Sequence, residues 1–297
     1  MNDTKGDIME KQLITKREFL KLGAVGVLAT FGGCKTATEL TERAAGKRRI
    51  PIGVQLYSVR TECEKDLPGT IKAVAKMGYK GVEFAGYYGR DAKTLKKLLD
   101  GVGLKCCGTH TGIDTLLGDQ LQKTIEFNQT ISNKYLIVSW LHEQYRTTHA
   151  EWKKTAQLFN ELSEKVKPYG MVVGYHNHDI EFTPVEGELP WDIFFGNTNK
   201  RVVMQVDTGN AMIGGGDPVV FLRRYPGRAA TVHIKPFSKA KPNAVIGDDE
   251  LPWQEIFKLC ETTGGTQWYI VEYESDAYPP LVSIEKCLEA LRRWGKA

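Results

Sequence analysis

With 297 residues, 41 % of them hydrophobic, the chain is long enough for one α/β barrel or two smaller domains. Its formal charge of +4 is unevenly placed: residues 1–49 hold ten Lys or Arg against six Asp or Glu, and the thirty basic and thirty acidic residues that remain cancel. A neutral body excludes affinity gained chiefly by neutralising phosphates, and with it nucleic acid as the main partner.

The N-terminus reads as an address. Lys16-Arg17-Glu18-Phe19-Leu20-Lys21 precedes an apolar, Gly/Ala-rich stretch from Leu22 to Gly33 that meets Cys34. A basic segment followed by a short apolar one is an export signal, too short to span a bilayer as a mature helix. Arg-x-Phe-Leu-Lys resembles a twin-arginine signal with Lys16 in place of the first Arg, and Phe31-Gly32-Gly33-Cys34 resembles a lipoprotein cleavage site. These resemblances imply that residues 1–34 are an export signal in which 1–33 are removed and Cys34 becomes the lipidated first residue, and that residues 35–49 form a polar linker. The expected location is the periplasm or membrane of a bacterial envelope, with the membrane met only through that anchor. The other five cysteines have no paired spacing and an odd count, so structural thiols are expected rather than a disulfide framework. The sequence sets no oligomeric state.

From residue 50 onward strand-like and helical patterns alternate. The expected strands are Ile52–Tyr57, Gly81–Phe84, Leu104–His110, Tyr135–Ser139, Met171–His176, Val202–Asp207, Ala230–Ile234 and Trp268–Glu272. Between them, Asp66–Met77, Asp91–Val102 and Thr148–Tyr169 carry apolar residues at helical spacing and each meets a Gly, as amphipathic helices packed on a sheet require. Asp66-Leu67-Pro68 and Asp217-Pro218 supply an N-cap Asp with Pro in the first turn, and Leu281–Trp294 makes the last helix. Eight such units in residues 50–297 predict a single (β/α)8 TIM barrel. No Gly-x-Gly-x-x-Gly follows the first strand, which disfavours a doubly wound sheet; Gly214-Gly215-Gly216 fits a loop near the ligand.

Equivalent strand ends of such a barrel converge on one face. Three runs end in Asp207, His233 and Glu272, and a fourth opens into His176-Asn177-His178-Asp179-Ile180-Glu181. One Asp with His and Glu meeting there makes a divalent-metal site. His110, at the end of strand three, points into the same mouth. Tyr57, Trp140 and Glu83 are candidate sugar contacts, as is Asn210.

The body resembles the xylose isomerase-like TIM-barrel superfamily, often labelled sugar phosphate isomerases/epimerases. The resemblance rests on Ile52-Gly53-Val54-Gln55-Leu56-Tyr57-Ser58, Gly78-Tyr79-Lys80-Gly81-Val82-Glu83, Gly174-Tyr175-His176-Asn177-His178, Asp207-Thr208-Gly209-Asn210, His233-Ile234-Lys235 and Val271-Glu272-Tyr273-Glu274, in order and at barrel spacing. It implies one divalent ion, Mn first and Co, Zn, Fe or Mg as alternatives, held by Asp207, His233 and Glu272. The fourth ligand departs from the family pattern, with His176 on the usual Glu position and Glu181 close enough to reach back. The implied chemistry is isomerisation or epimerisation of a sugar through an enediolate, with an unphosphorylated carbohydrate as substrate if the protein is exported. With His in place of one Glu, the inosose and 3-dehydroshikimate dehydratase branches are the alternative. In those, His178 falls on the general base and Lys235 stabilises the enolate oxygen or protonates the leaving group, whereas the epimerase branch makes Glu272 one of two Glu that shuttle the proton. A sugar-binding lipoprotein without catalysis and a DNA-repair endonuclease on the same barrel are the more distant alternatives.

Overall fold

The computed structural model describes residues 49–297, so the expectations for the export signal, for Cys34 and for nearly all of the linker lie outside the described residues. Eight parallel strands follow one another round a closed barrel: β1 Ile52–Gln55, β2 Gly81–Ala85, β3 Lys105–His110, β4 Tyr135–Val138, β5 Val172–His176, β6 Val203–Asp207, β7 Thr231–Ile234 and β8 Trp268–Val271. β1 pairs with β8, Val54 opposite Val271, so the sheet has no free edge. The helices among the described residues are α1 Arg60–Met77, α2 Ala92–Val102, α3 Gln120–Thr130, α4 His149–Val166, α5 Pro190–Asn197, α6 Thr208–Ile213, α7 Pro218–Arg224, α8 Trp253–Leu259 and α9 Pro280–Arg293. The predicted (β/α)8 barrel is the fold.

Local chemistry sets the boundaries. Asp91 caps α2 by accepting the Thr94 N–H at 2.9 Å, and Thr148 caps α4 in a capping box with Glu151. α1 starts earlier than Asp66, but Asp66 leaves helical backbone (φ −153°, ψ 84°) and accepts the Gly69 N–H at 3.0 Å. The expected cap therefore exists as a kink inside a longer helix, ahead of Pro68. β1 stops at Gln55 rather than Tyr57, because the Gln55 side chain accepts the Tyr57 N–H and Leu56–Val59 winds into a 3-10 turn. The five described cysteines are free and buried.

Alternation along the strands divides the interior in two. Outward residues such as Val54, Val82, Val173 and Val232 pack on helix residues such as Phe159 and Trp152 in the main core. Inward residues Tyr135, Ile137 and Val203, with Trp268 against them, fill the bottom of the barrel. Gly174 makes that filling possible: a Cβ there would stand 2.6 Å from Ile137 Cδ1 and 2.8 Å from the Val203 carbonyl. Above this apolar plug the inward residues become polar. Gln55, Glu83, Gln205 and Thr231 are all completely buried, and the ligand-type residues stand above them at the C-terminal ends.

Candidate active site

Four side chains from adjacent strand ends meet over the barrel axis. His176, Asp207, His233 and Glu272 offer ligand atoms that all lie within 4.8 Å of one another, and all four residues are buried. Their register is that of the sheet, with Asp207 directly opposite His233 across β6 and β7. Asp207 also caps α6, its Oδ1 accepting the Asn210 N–H at 2.7 Å, while Oδ2 is buried with no hydrogen-bond partner. His233 Nδ1 is also orphaned: Glu272 Oε2 lies 2.6 Å away and Asp207 Oδ2 3.6 Å away, neither aligned for a hydrogen bond. Close but misaligned donor atoms, two of them unsatisfied and sealed from water, fit a divalent ion that satisfies them together.

His176 and Glu181, the two candidates for a fourth ligand, are placed differently. His176 joins the cluster, whereas Glu181 accepts the Tyr175 hydroxyl at 2.6 Å and the His178 N–H at 2.7 Å and is completely buried. Both its oxygens are committed to holding the loop after β5, so Glu181 as the fourth ligand does not match its placement. Asn177 reinforces this tie by exchanging two hydrogen bonds with the Asp207 backbone, at 2.8 and 3.1 Å.

The remaining candidates divide between the rim and the tier below. His178 is half-buried, its Nδ1 sealed and without a partner, and Trp140 meets its ring edge-on at 5.2 Å between centroids. Lys235 Nζ donates to Glu272 Oε1 at 3.2 Å and also to Glu274. Tyr57 and Trp140 are 41 % and 47 % exposed, as rim aromatics able to meet a ligand would be, and carry the Arg60 and Arg146 guanidinium groups over their rings. His110 lies at the cluster's edge, its ring stacked on that of His233 at 5.3 Å. Two expected sugar contacts are otherwise engaged. Glu83 is completely buried below the cluster, and the Asn210 amide donates to the Asn177 carbonyl at 3.3 Å. Gln55 and Gln205, which sequence reasoning passed over, share Glu83's tier; the available signal was a polar residue two positions before Asp207 in an apolar strand. A cleft of about 760 Å³ opens beside Lys235 and Glu274 under the loops after β7 and β8.

Comparison with known proteins bears on the fold and the family. The family model described as xylose isomerase-like TIM barrel matches residues 71–294. The chain belongs to this family. Among curated relatives of this xylose isomerase-like barrel, an inosose dehydratase of Clostridium botulinum (strain Alaska E43 / Type E3) is 25 % identical over 251 residues, 72 % of this chain and 84 % of that protein. An inosose dehydratase of Serratia proteamaculans (strain 568) is 26 % identical over 247 residues, covering 69 % and 82 % respectively. A solved structure of a sugar phosphate isomerase/epimerase from Parabacteroides distasonis ATCC 8503 superposes with a TM-score of 0.72 at 27 % identity, over 82 % of this chain and 98 % of that one. The chain is an enzyme of this superfamily, of isomerase/epimerase or dehydratase type.

The charges of the xylose isomerase-like site are sorted by surroundings. Burial opposes a charge on Lys235, but Glu272, Asp207 and Glu274 outweigh it and hold the ammonium well above its ordinary range. Burial lowers His178, despite the pull of Asp207 and Glu272, so its ring is neutral near pH 7. A neutral imidazole with an unpartnered nitrogen and a firmly protonated amine flank one ligand cluster, which equips the mouth with both a proton acceptor and a proton donor.

Proposed function

We propose that the protein is a divalent-metal-dependent lyase that removes water, or another β-leaving group, from a keto-inositol or keto-sugar. The observation that carries this reading is the make-up of strand five. It contributes His176 to the ligand cluster and leaves Glu181 locked under Tyr175, so among the described residues no strand-five carboxylate stands opposite Glu272. Epimerisation by two opposed carboxylates has only one of them here. Elimination needs one base and one acid, and His178 and Lys235 are suited to those roles. The inosose dehydratase relatives support the same class of substrate.

When bound, a divalent ion supplies Lewis-acid polarisation of the substrate ketone. Two imidazoles with two carboxylates suit Mn, Fe, Co or Zn better than Mg, and Mn remains the first choice. The protein's own groups do the rest. His178 takes the proton from the carbon beside the ketone, and the electrons of that C–H bond form the new double bond. The neighbouring C–O bond breaks, and Lys235 gives its proton to the departing oxygen, so one water is lost. Glu272 and Glu274 keep Lys235 charged and aimed. Trp140, packed on the edge of His178, restricts the imidazole and covers it from bulk water.

The test is proton NMR in deuterated water with the Mn-loaded enzyme and a panel of keto-inositols and keto-sugars. Loss of water with appearance of an unsaturated or 1,2-dicarbonyl product is expected. Deuterium entering beside the ketone without water loss would instead favour isomerase or epimerase chemistry, the activity named for the structural relative that shares 27 % identity. Binding without either change would reduce the protein to a sugar-binding module.

A further inference from the structure

Beneath the ligand cluster lies a tier of hydrogen bonds whose donor and acceptor roles are forced by one charge. Glu83 is completely buried, and a carboxylate can only accept. Its Oε2 accepts from Gln55 Nε2 at 2.9 Å and from His233 Nε2 at 2.5 Å, and its Oε1 accepts from Gln205 Nε2 at 2.9 Å. Neither glutamine is free to turn over. Gln55 Oε1 is held by the Tyr57 N–H at 3.0 Å, and Gln205 Nε2 also reaches Thr231 Oγ1 at 3.0 Å. With its nitrogen fixed toward Glu83, Gln205 must present its oxygen to the histidines. His176 Nδ1 and His110 Nε2 both lie 3.0 Å from Gln205 Oε1, so each of those nitrogens must carry hydrogen.

The tautomers follow. With hydrogen on Nε2, His233 keeps Nδ1 as the nitrogen that faces Asp207 and Glu272. With hydrogen on Nδ1, His176 keeps Nε2 as its free donor. We propose that Glu83 is a positioning residue that fixes both ligand histidines in the ion-binding tautomer, His233 directly and His176 through Gln205. The fold has been shaped for this residue. β2 and β3 slip register between Val82 and Glu83, and a Cβ on Gly108 would come within 2.2 Å of Glu83 Oε1, so β3 keeps a glycine where the carboxylate lies. The inference rests on the ion site of the proposed function, but the tautomers can be read with or without an ion.

The experiment combines zinc binding, measured by competition with a chromophoric chelator, with long-range ¹⁵N–¹H correlation spectra of the histidine rings. It is run on the wild-type chain, on Glu83→Gln and on Gln205→Met. Wild type should show His176 protonated at Nδ1 in both zinc-free and zinc-loaded protein, and His233 protonated at Nε2 when loaded. Glu83→Gln keeps the shape but loses the charge that orients the tier; its zinc dissociation constant should rise about 10- to 100-fold, with mixed tautomers at both rings. Gln205→Met should disturb His176 and leave His233 as in wild type, and it carries the test alone if Glu83→Gln does not fold. Zinc affinities within twofold of wild type with unchanged tautomers in the folded variants would overturn the positioning role. Wild type that holds no zinc, yet shows the ordered His176 tautomer, would instead overturn the ion site and leave the tier standing.

Discussion

At the scale of single residues, the division of labour on strand five gives the sharpest expectations. General-base assistance is typically worth about 10²- to 10⁴-fold, so His178→Ala should lower turnover by that order while metal content, read by inductively coupled plasma mass spectrometry, stays near wild type. His176→Ala should lose the ion. Glu181→Ala should keep it and instead loosen the loop after β5, because its oxygens serve Tyr175 and the His178 backbone. Equal metal loss in all three variants would show that strand five supplies structure rather than a base. Asp207, His233 and Glu272 were legible in the sequence because each ends an apolar run at barrel spacing. Glu83 was named in the sequence as a sugar contact, but it lies within β2 rather than at its end and is completely buried. Its burial depends on Gln55, Gln205 and His233, which meet it from three other strands and which no pattern within strand two records. His176 could not be told from Glu181 for a related reason. Both are within reach by sequence distance, and only the hydroxyl of Tyr175, turned toward the loop, commits the carboxylate elsewhere.

At the scale of elements, the strand bounds were read to within two residues and the cap at Asp217 to the residue, since both depend on neighbours within a turn or two. The early end of β1 was missed because the Gln55 side chain competes with the regular backbone pattern and wins locally, whereas at Asp66 the cap was read and only the turns before it, from Arg60, were not. Two inward glycines separate stability from chemistry. Gly174→Ala forces a methyl against Ile137 and the Val203 carbonyl in the plug, and should cost about 1–3 kcal/mol in urea unfolding with metal affinity unchanged. Gly108→Ala presses on Glu83 instead, and should weaken zinc binding as well as stability. A Gly108→Ala protein with wild-type zinc affinity would mean that the carboxylate can shift without disturbing the histidines.

At the scale of the whole molecule, the body is neutral and the basic excess is confined to residues 1–49. We propose that this segment directs export, so mass spectrometry of protein from its native source should find residues 1–33 absent and Cys34 modified by lipid. Cys34→Ala should move the protein from membrane fractions to the soluble fraction. Recovery of an intact, unmodified N-terminus would refute the export proposal. The barrel was legible at this scale because eight units of alternating pattern admit few closed arrangements; the use of its interior was not, because inward residues of distant strands meet only after closure. That closure has a kinetic consequence. Among the described residues the axis is stoppered below the ligand cluster by Tyr135, Ile137 and Val203, with Trp268 packed against them. A product molecule still seated over the cluster occupies the place that the next substrate must take. Inhibition by product should therefore be purely competitive with substrate, raising the apparent KM and leaving the maximal rate untouched.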